Sequence, residues 1–203
     1  MKIITPSLIL LFITLFELNA QETGISNGLF ITFNQFKSKK SCPIKSIDLN
    51  SSDLLLSVKN IVSDCAGYKK TNKLIAIQYE NDIYYNMKFN VEFLTKNKFS
   101  KLLVNGKYCA FLVDESYPIN IQGQAGFNTG GLLGAIILGA NGKNKIYYFD
   151  IEKGHKTKVL TKKRLKELLS IDKELFDSFN KEENISADLF LNYLEKLNKE
   201  YEK

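Results

Sequence analysis

The chain has 203 residues, 44% hydrophobic and 25% charged, with a formal net charge of +6; that balance excludes a disordered or collagen-like chain and allows one globular domain. Its 28 basic residues, Arg164 being the only arginine, are interspersed with 22 acids. A nucleic-acid binder concentrates such charge, with interleaved aromatics, on one face, so nucleic acid is excluded as a partner on that ground.

The N-terminus, MKIITPSLILLFITLFELNAQETG, places Lys2 before an apolar stretch from Leu8 to Phe16 and the small residue Ala20 at its exit. This is the pattern of a cleaved secretory signal peptide over residues 1–20, leaving 21–203 as a single domain. Lys2 and Glu17 depart together, so the charge of +6 belongs to the exported chain. The first cysteine, Cys42, lies far downstream of the apolar run; the expected location is therefore periplasmic or secreted, and not that of a lipoprotein. Cys42, Cys65 and Cys109 allow one disulfide and one leftover thiol in an oxidising space, and the spacing leaves the pairing open.

GLFITFNQF, Gly28 to Phe36, alternates two faces and predicts a strand. Lys37 to Pro43, KSKKSCP, has loop chemistry, and the mixed pattern from Ile44 to Asn72 predicts no particular element. Leu74 to Tyr79 and Ile83 to Phe89 are β-rich runs around an Asn81-Asp82 turn. Phe99 to Val104 and Lys107 to Val113 flank Asn105-Gly106, and Asn-Gly suits a type I′ turn because both central residues there have positive φ. Lys145 to Ile151 and Lys156 to Leu160 form a third pair, with Gly154 suited to a left-handed turn position. Beyond Leu160 the period lengthens to that of helices. Thr161 can cap KKRLKELL, with Leu165, Leu168 and Leu169 on one face; Leu175, Phe176 and Phe179 make a second small face; Ser186 can cap a last helix. There Phe190, Leu194, Leu197 and Tyr201 form a stripe that should pack on the sheet, with Asn192, Glu195, Lys196 and Lys199 facing away. The fold class is α+β: an antiparallel, β-rich N-terminal and central part with C-terminal helices packed on it.

Little in the chain points to catalysis. The one histidine, His155, falls in a predicted turn, a poor place to hold a base against a nucleophile; a hydrolase using Cys109 or a serine with His155 is the remote alternative. One histidine and three scattered cysteines make no zinc set, and Asp82, Asp114, Glu115 and Asp150 read as solvated acids near strand ends, so neither metal nor cofactor is expected. The most distinctive stretch is the Gly-rich segment 123–142, GQAGFNTGGLLGAIILGANG. It fails G-x-x-x-x-G-K-[ST], having Ile137 where the first glycine belongs and Asn144 after Lys143, and it lacks G-x-G-x-x-G. As a helix Ala125 to Ala140 would reach about 24 Å, short of the roughly 30 Å hydrocarbon core, so no transmembrane span is expected in the exported chain. Gly126, Gly130 and Gly134 recur every four residues, a spacing that lets another backbone approach closely. With Gly131, Leu132, Leu133, Ile136, Ile137 and Leu138 they form the candidate close-packing or interaction segment, its partner either the protein's own sheet, an envelope protein, a second copy or a membrane surface.

The order of features (signal peptide, GLFITFNQFKSKK, GGLLGAIILGA, YYFDIEKG, and helices ending near YLEKLNKEY) resembles that of uncharacterised exported proteins of Bacteroidetes-type bacteria. The resemblance implies an envelope-located, non-catalytic protein and transfers no catalytic residue.

Overall fold

A computed structural model describes residues 27–89, 96–114 and 144–202. The expected signal peptide and the segment 123–142 lie outside the described residues.

Ten strands are described: β1 Gly28–Phe30, β2 Cys42–Pro43, β3 Ser46–Ser51, β4 Leu55–Val62, β5 Ala76–Tyr79, β6 Asp82–Asn86, β7 Lys98–Val104, β8 Tyr108–Asp114, β9 Asn144–Asp150 and β10 Lys158–Val159. All pairings are antiparallel, in the order β10-β9-β8-β7-β6-β5-β1-β2, with β3 on β4 and β4 on β7. Strand β7 is the junction. Lys98 to Lys101 pair with β4 and β6, and from Leu102 on, across an irregularity between Leu102 and Val104, the strand pairs with β8. At this junction buried Ser100 donates its hydroxyl to the Leu112 carbonyl at 3.2 Å. Helices α1 Phe33–Lys37, α2 Lys162–Leu169, α3 Lys173–Asn180 and α4 Ala187–Tyr201 complete the α+β fold.

The period-2 placement of side chains divides the interior. Phe30, Tyr85, Cys109, Phe111, Tyr147 and Phe149 share one cluster with Phe36 of α1. Their sequence neighbours Tyr108, Ala110, Ile146 and Tyr148 meet the helices through Leu165, Leu169, Phe179, Phe190, Leu194 and Leu197. On a third side Leu29, Ile77, Tyr84 and Phe99 pack with Leu56, Val58 and Ile61 of β4. Thr161, Asp172 and Ser186 cap α2, α3 and α4 by accepting from the N–H three residues on, at 3.2, 3.0 and 3.1 Å. Asn192, Glu195, Lys196 and Lys199 are exposed as expected, while Tyr201 is 43% exposed, its ring 5.9 Å from that of Tyr108 and 4.4 Å from Lys107 Nζ.

Four sequence expectations change. The strand from Gly28 stops at Phe30, because Thr32 and Gln35 form a reciprocal capping box: Thr32 Oγ1 accepts from Gln35 N, and Gln35 Oε1 accepts from Thr32 N at 3.0 Å. The chain thereby enters α1 and carries Phe36 across the aromatic cluster. The β5–β6 turn is Glu80-Asn81, one residue earlier than expected, with Glu80 at φ +55° and its N–H on Asn27 Oδ1 at 2.9 Å; β6 ends at Asn86, and Met87–Phe89 is a single 3-10 turn. Neither Asn105 nor Gly106 has positive φ, so the type I′ reasoning fails there. Gly106 is needed for space: a Cβ on it would lie 2.6 Å from Cγ and Nδ2 of Asn198. Finally, the unassigned stretch 44–72 holds β3, β4 and half of the Cys42–Cys65 disulfide, whose Cα atoms are 5.9 Å apart. Gly154, at φ +104°, fills the left-handed position as expected.

Candidate ligand-binding cleft

The residues a hydrolase would need are kept apart. The His155 ring is exposed and rests edge-on against Phe89 and Phe33, at 5.1 and 5.9 Å, while its carbonyl accepts from Tyr85 Oη at 2.9 Å. Cys109 is 0% exposed; its Sγ donates to the Gly106 carbonyl at 3.4 Å, and burial pushes the thiol up to about 12, against the lesser opposing pull of the Gly106 backbone and of the Lys39 charge. A thiol held protonated makes a poor nucleophile. Among the described residues no hydrogen bond joins the His155 ring to Cys109 or to a serine, and no three His, Cys, Asp or Glu side chains gather as metal ligands. The expectation of solvated acids is corrected at two positions: Asp82 pairs with Lys101 at 2.6 Å, and the Asp150 side chain, only 9% exposed, accepts from Glu152 N at 3.0 Å. Glu115 and the side chain of Asp114 lie outside the described residues.

Gly126, Gly130, Gly131, Leu132, Leu133, Gly134, Ile136, Ile137 and Leu138 also lie outside the described residues. Their frame is described. Strands β8 and β9 pair without interruption from Tyr108↔Asp150 to Asp114↔Asn144, so the chain leaves and re-enters the sheet at directly opposed positions.

A surface cleft of about 310 Å³ opens among three loops. Its apolar side is Phe30, Ile83 and Leu102; its polar groups are Lys39, Gln78, Asn81, Asp82 and Asn105. Lys39 comes from the end of α1, Gln78 to Asp82 from the β5–β6 hairpin, and Asn105 from the β7–β8 turn. Lys39 N donates to the Phe36 carbonyl and Lys40 N to the Gln35 carbonyl, at 3.1 and 3.0 Å; this is a Schellman motif with Lys39, at φ +54°, in the left-handed place that usually belongs to glycine. Gln78 Oε1 accepts from Ser41 Oγ at 3.1 Å, which turns its NH₂ to other use. Among the described residues no carboxylate pairs with Lys39, and the Gln78 NH₂ and the Asn81 amide make no hydrogen bond. The Asp82 charge is already matched: its hydrogen bond raises the Lys101 pKa, against a smaller opposing effect of burial. Lys39 is thus the cation left over. Amides hold or offer hydrogen bonds without exchanging protons near neutrality, so the arrangement suits binding. In the sequence Asn81 and Asn105 read as turn formers only; the signal available was two turn asparagines, a glutamine in a β-rich run and a loop lysine, which no local pattern brings together.

An antiparallel, partly disulfide-stapled α+β domain with a polar cleft is what the fold and site define. The chain belongs to a family of unknown function, DUF6563, which it matches over residues 28–201. No curated protein and no solved structure matches it.

Proposed function

We propose that the protein is an exported, non-catalytic binding module of the cell envelope. The observation that carries this reading is the cleft, where one unmatched lysine and three amides converge from three segments of the chain beside an apolar side. The withdrawal of Cys109 into the core and of His155 onto Phe89 supports a binding role over hydrolysis. The Cys42–Cys65 disulfide supports export through the leader at 1–20, since such bonds persist in oxidising compartments. Among the described residues no helix is long and apolar enough to cross a membrane.

The Gly-rich segment enters this proposal as a second contact element, with Gly126, Gly130 and Gly134 admitting a closely approaching envelope protein or second copy. The sheet pairs Asp114 with Asn144, so the chain on either side of the intervening stretch is held at directly opposed positions, which supports that use. Fractionation of the native host, followed by a carbonate wash, tests the location: recovery in the soluble periplasmic or secreted fraction is expected, and retention with lipid would replace this reading by membrane association. A pull-down from the envelope with wild type, Gly130→Leu and Gly134→Leu tests the segment. Retained folding with a lost partner supports the interface; loss of folding assigns the glycines to internal packing.

A further inference from the structure

From the chemistry of the cleft we infer its ligand: a small sugar acid, a hydroxylated ring bearing a carboxylate, held with the carboxylate on Lys39 and the hydroxyls on the amides. The inference rests on the binding-module reading and deepens it.

Size is the first constraint. About 310 Å³ lies at the lower end of the roughly 300–1,000 Å³ typical of ligand pockets, which fits one or two sugar rings better than a larger ligand. Hydrogen-bonding capacity is the second. A hydroxyl both donates and accepts, and a carboxamide offers an acceptor oxygen and two donor hydrogens. Gln78, Asn81 and Asn105, with the Asp82 carboxylate, therefore complement several hydroxyls arranged round a ring more fully than they would a purely apolar or purely cationic molecule. Charge is the third. Asp82 is matched by Lys101 at 2.6 Å, so Lys39 gives the cleft one net positive charge.

Lys39 adds an observation of a different kind. It occupies the left-handed residue of a complete Schellman motif at φ +54°, where glycine is favoured and a side chain is strained. A cation at a left-handed position that favours glycine is local backbone strain of the kind that gathers at functional sites.

The purified protein is titrated with glucuronate and followed residue by residue in ¹H–¹⁵N NMR spectra, with glucose and acetate as separate probes. Saturable shifts confined to the cleft, at Gln78, Asn81 and Asn105, are expected with glucuronate, and binding of glucose and of acetate at least tenfold weaker. Lys39→Gly should weaken glucuronate at least tenfold while raising the melting midpoint by roughly 1–4 °C, so that lost binding cannot be put down to a damaged fold. Asn105→Ala should weaken glucuronate and glucose alike. Glucose binding as tightly as glucuronate overturns the acidic group and leaves the binding module standing. Acetate binding as tightly as glucuronate reduces the site to one for a bare carboxylate and overturns the sugar ring. Glucuronate bound equally by wild type and Lys39→Gly, or shifting no cleft residue, overturns the assignment altogether.

Discussion

Asn198, on the last turns of α4, is 6% exposed and sits 90 residues from the backbone it serves. Its Oδ1 accepts from Tyr108 N at 2.8 Å and its Nδ2 donates to the Tyr108 carbonyl at 2.9 Å, so one amide satisfies both backbone groups at the start of β8. Asn198→Ala leaves that N–H and C=O buried without partners, at about 1–3 kcal/mol each. A loss of about 3 kcal/mol follows, which for a domain of this size lowers the melting midpoint by roughly 6–12 °C. Gly106→Ala strains the same contact from the other side, since its Cβ would lie 2.6 Å from Cγ and Nδ2 of Asn198; overpacking of this kind costs about 1–3 kcal/mol. In the Asn198→Ala background most of that clash is gone and only the Cβ of residue 198, at 3.0 Å, remains. The two penalties should therefore fall short of additivity by about 1 kcal/mol or more. Urea unfolding at neutral pH, followed by far-ultraviolet circular dichroism and by tyrosine fluorescence in this tryptophan-free chain, measures all four corners of the cycle. A loss under 1 kcal/mol for Asn198→Ala at unchanged slope, or strict additivity, would refute the role given to the amide.

Removing the Cys42–Cys65 bridge, by Cys42→Ser with Cys65→Ser, frees a loop closed over a sequence separation of 23 and should cost about 3 kcal/mol; identical urea midpoints for the double variant and the oxidised wild type would contradict this. Cys109 should resist thiol reagents in the native protein at pH 8 and react only on unfolding, and stoichiometric labelling of the folded chain would disprove its burial. Its thiol rises from the ordinary 9.0 to about 12, so below about pH 9 folded and unfolded chains both hold the proton. Between about 9 and about 12 the unfolded chain releases it first, and stability declines as pH rises. Cys109→Ala should remove that part of the alkaline decline and leave the part due to buried Tyr85, whose pKa burial also raises. Thr32→Ala removes the α1 cap and should cost about 1 kcal/mol, read as a small midpoint shift in the same assay; no shift would mean that packing of Phe36 alone holds α1.

The helical part was the most legible. Thr161 and Ser186 are capping residues at the positions expected, and the Phe190, Leu194, Leu197 stripe is buried, because caps and 3.6-residue periodicity act over a single turn of chain. Where two local signals competed, the residues alone did not rank them: FITFNQF alternates like a strand and carries Thr32-x-x-Gln35 like a helix start. The capping box prevailed, and α1 lays Phe36 against Tyr85 and Phe149, each 6.0 Å away between rings. For the cleft, the Gln78, Asn81 and Asn105 amides are plain in the sequence, yet Gln78 reads as part of a β-rich run and the two asparagines as ordinary turn residues until the three segments meet.

By itself, then, the sequence determined the α+β class, the C-terminal helices with the Thr161 and Ser186 caps, the β-rich runs of the three hairpins and the glycine turn at Gly154, all of them outcomes of hydrogen bonding and periodicity among near neighbours. Tertiary structure alone decided that Cys42 pairs with Cys65 and leaves Cys109 buried, that Gly106 makes room for Asn198, and that Lys39 faces the amides of two distant hairpins. Those outcomes depend on which strands lie side by side, and an antiparallel sheet brings together residues whose separation along the chain carries no trace of the contact.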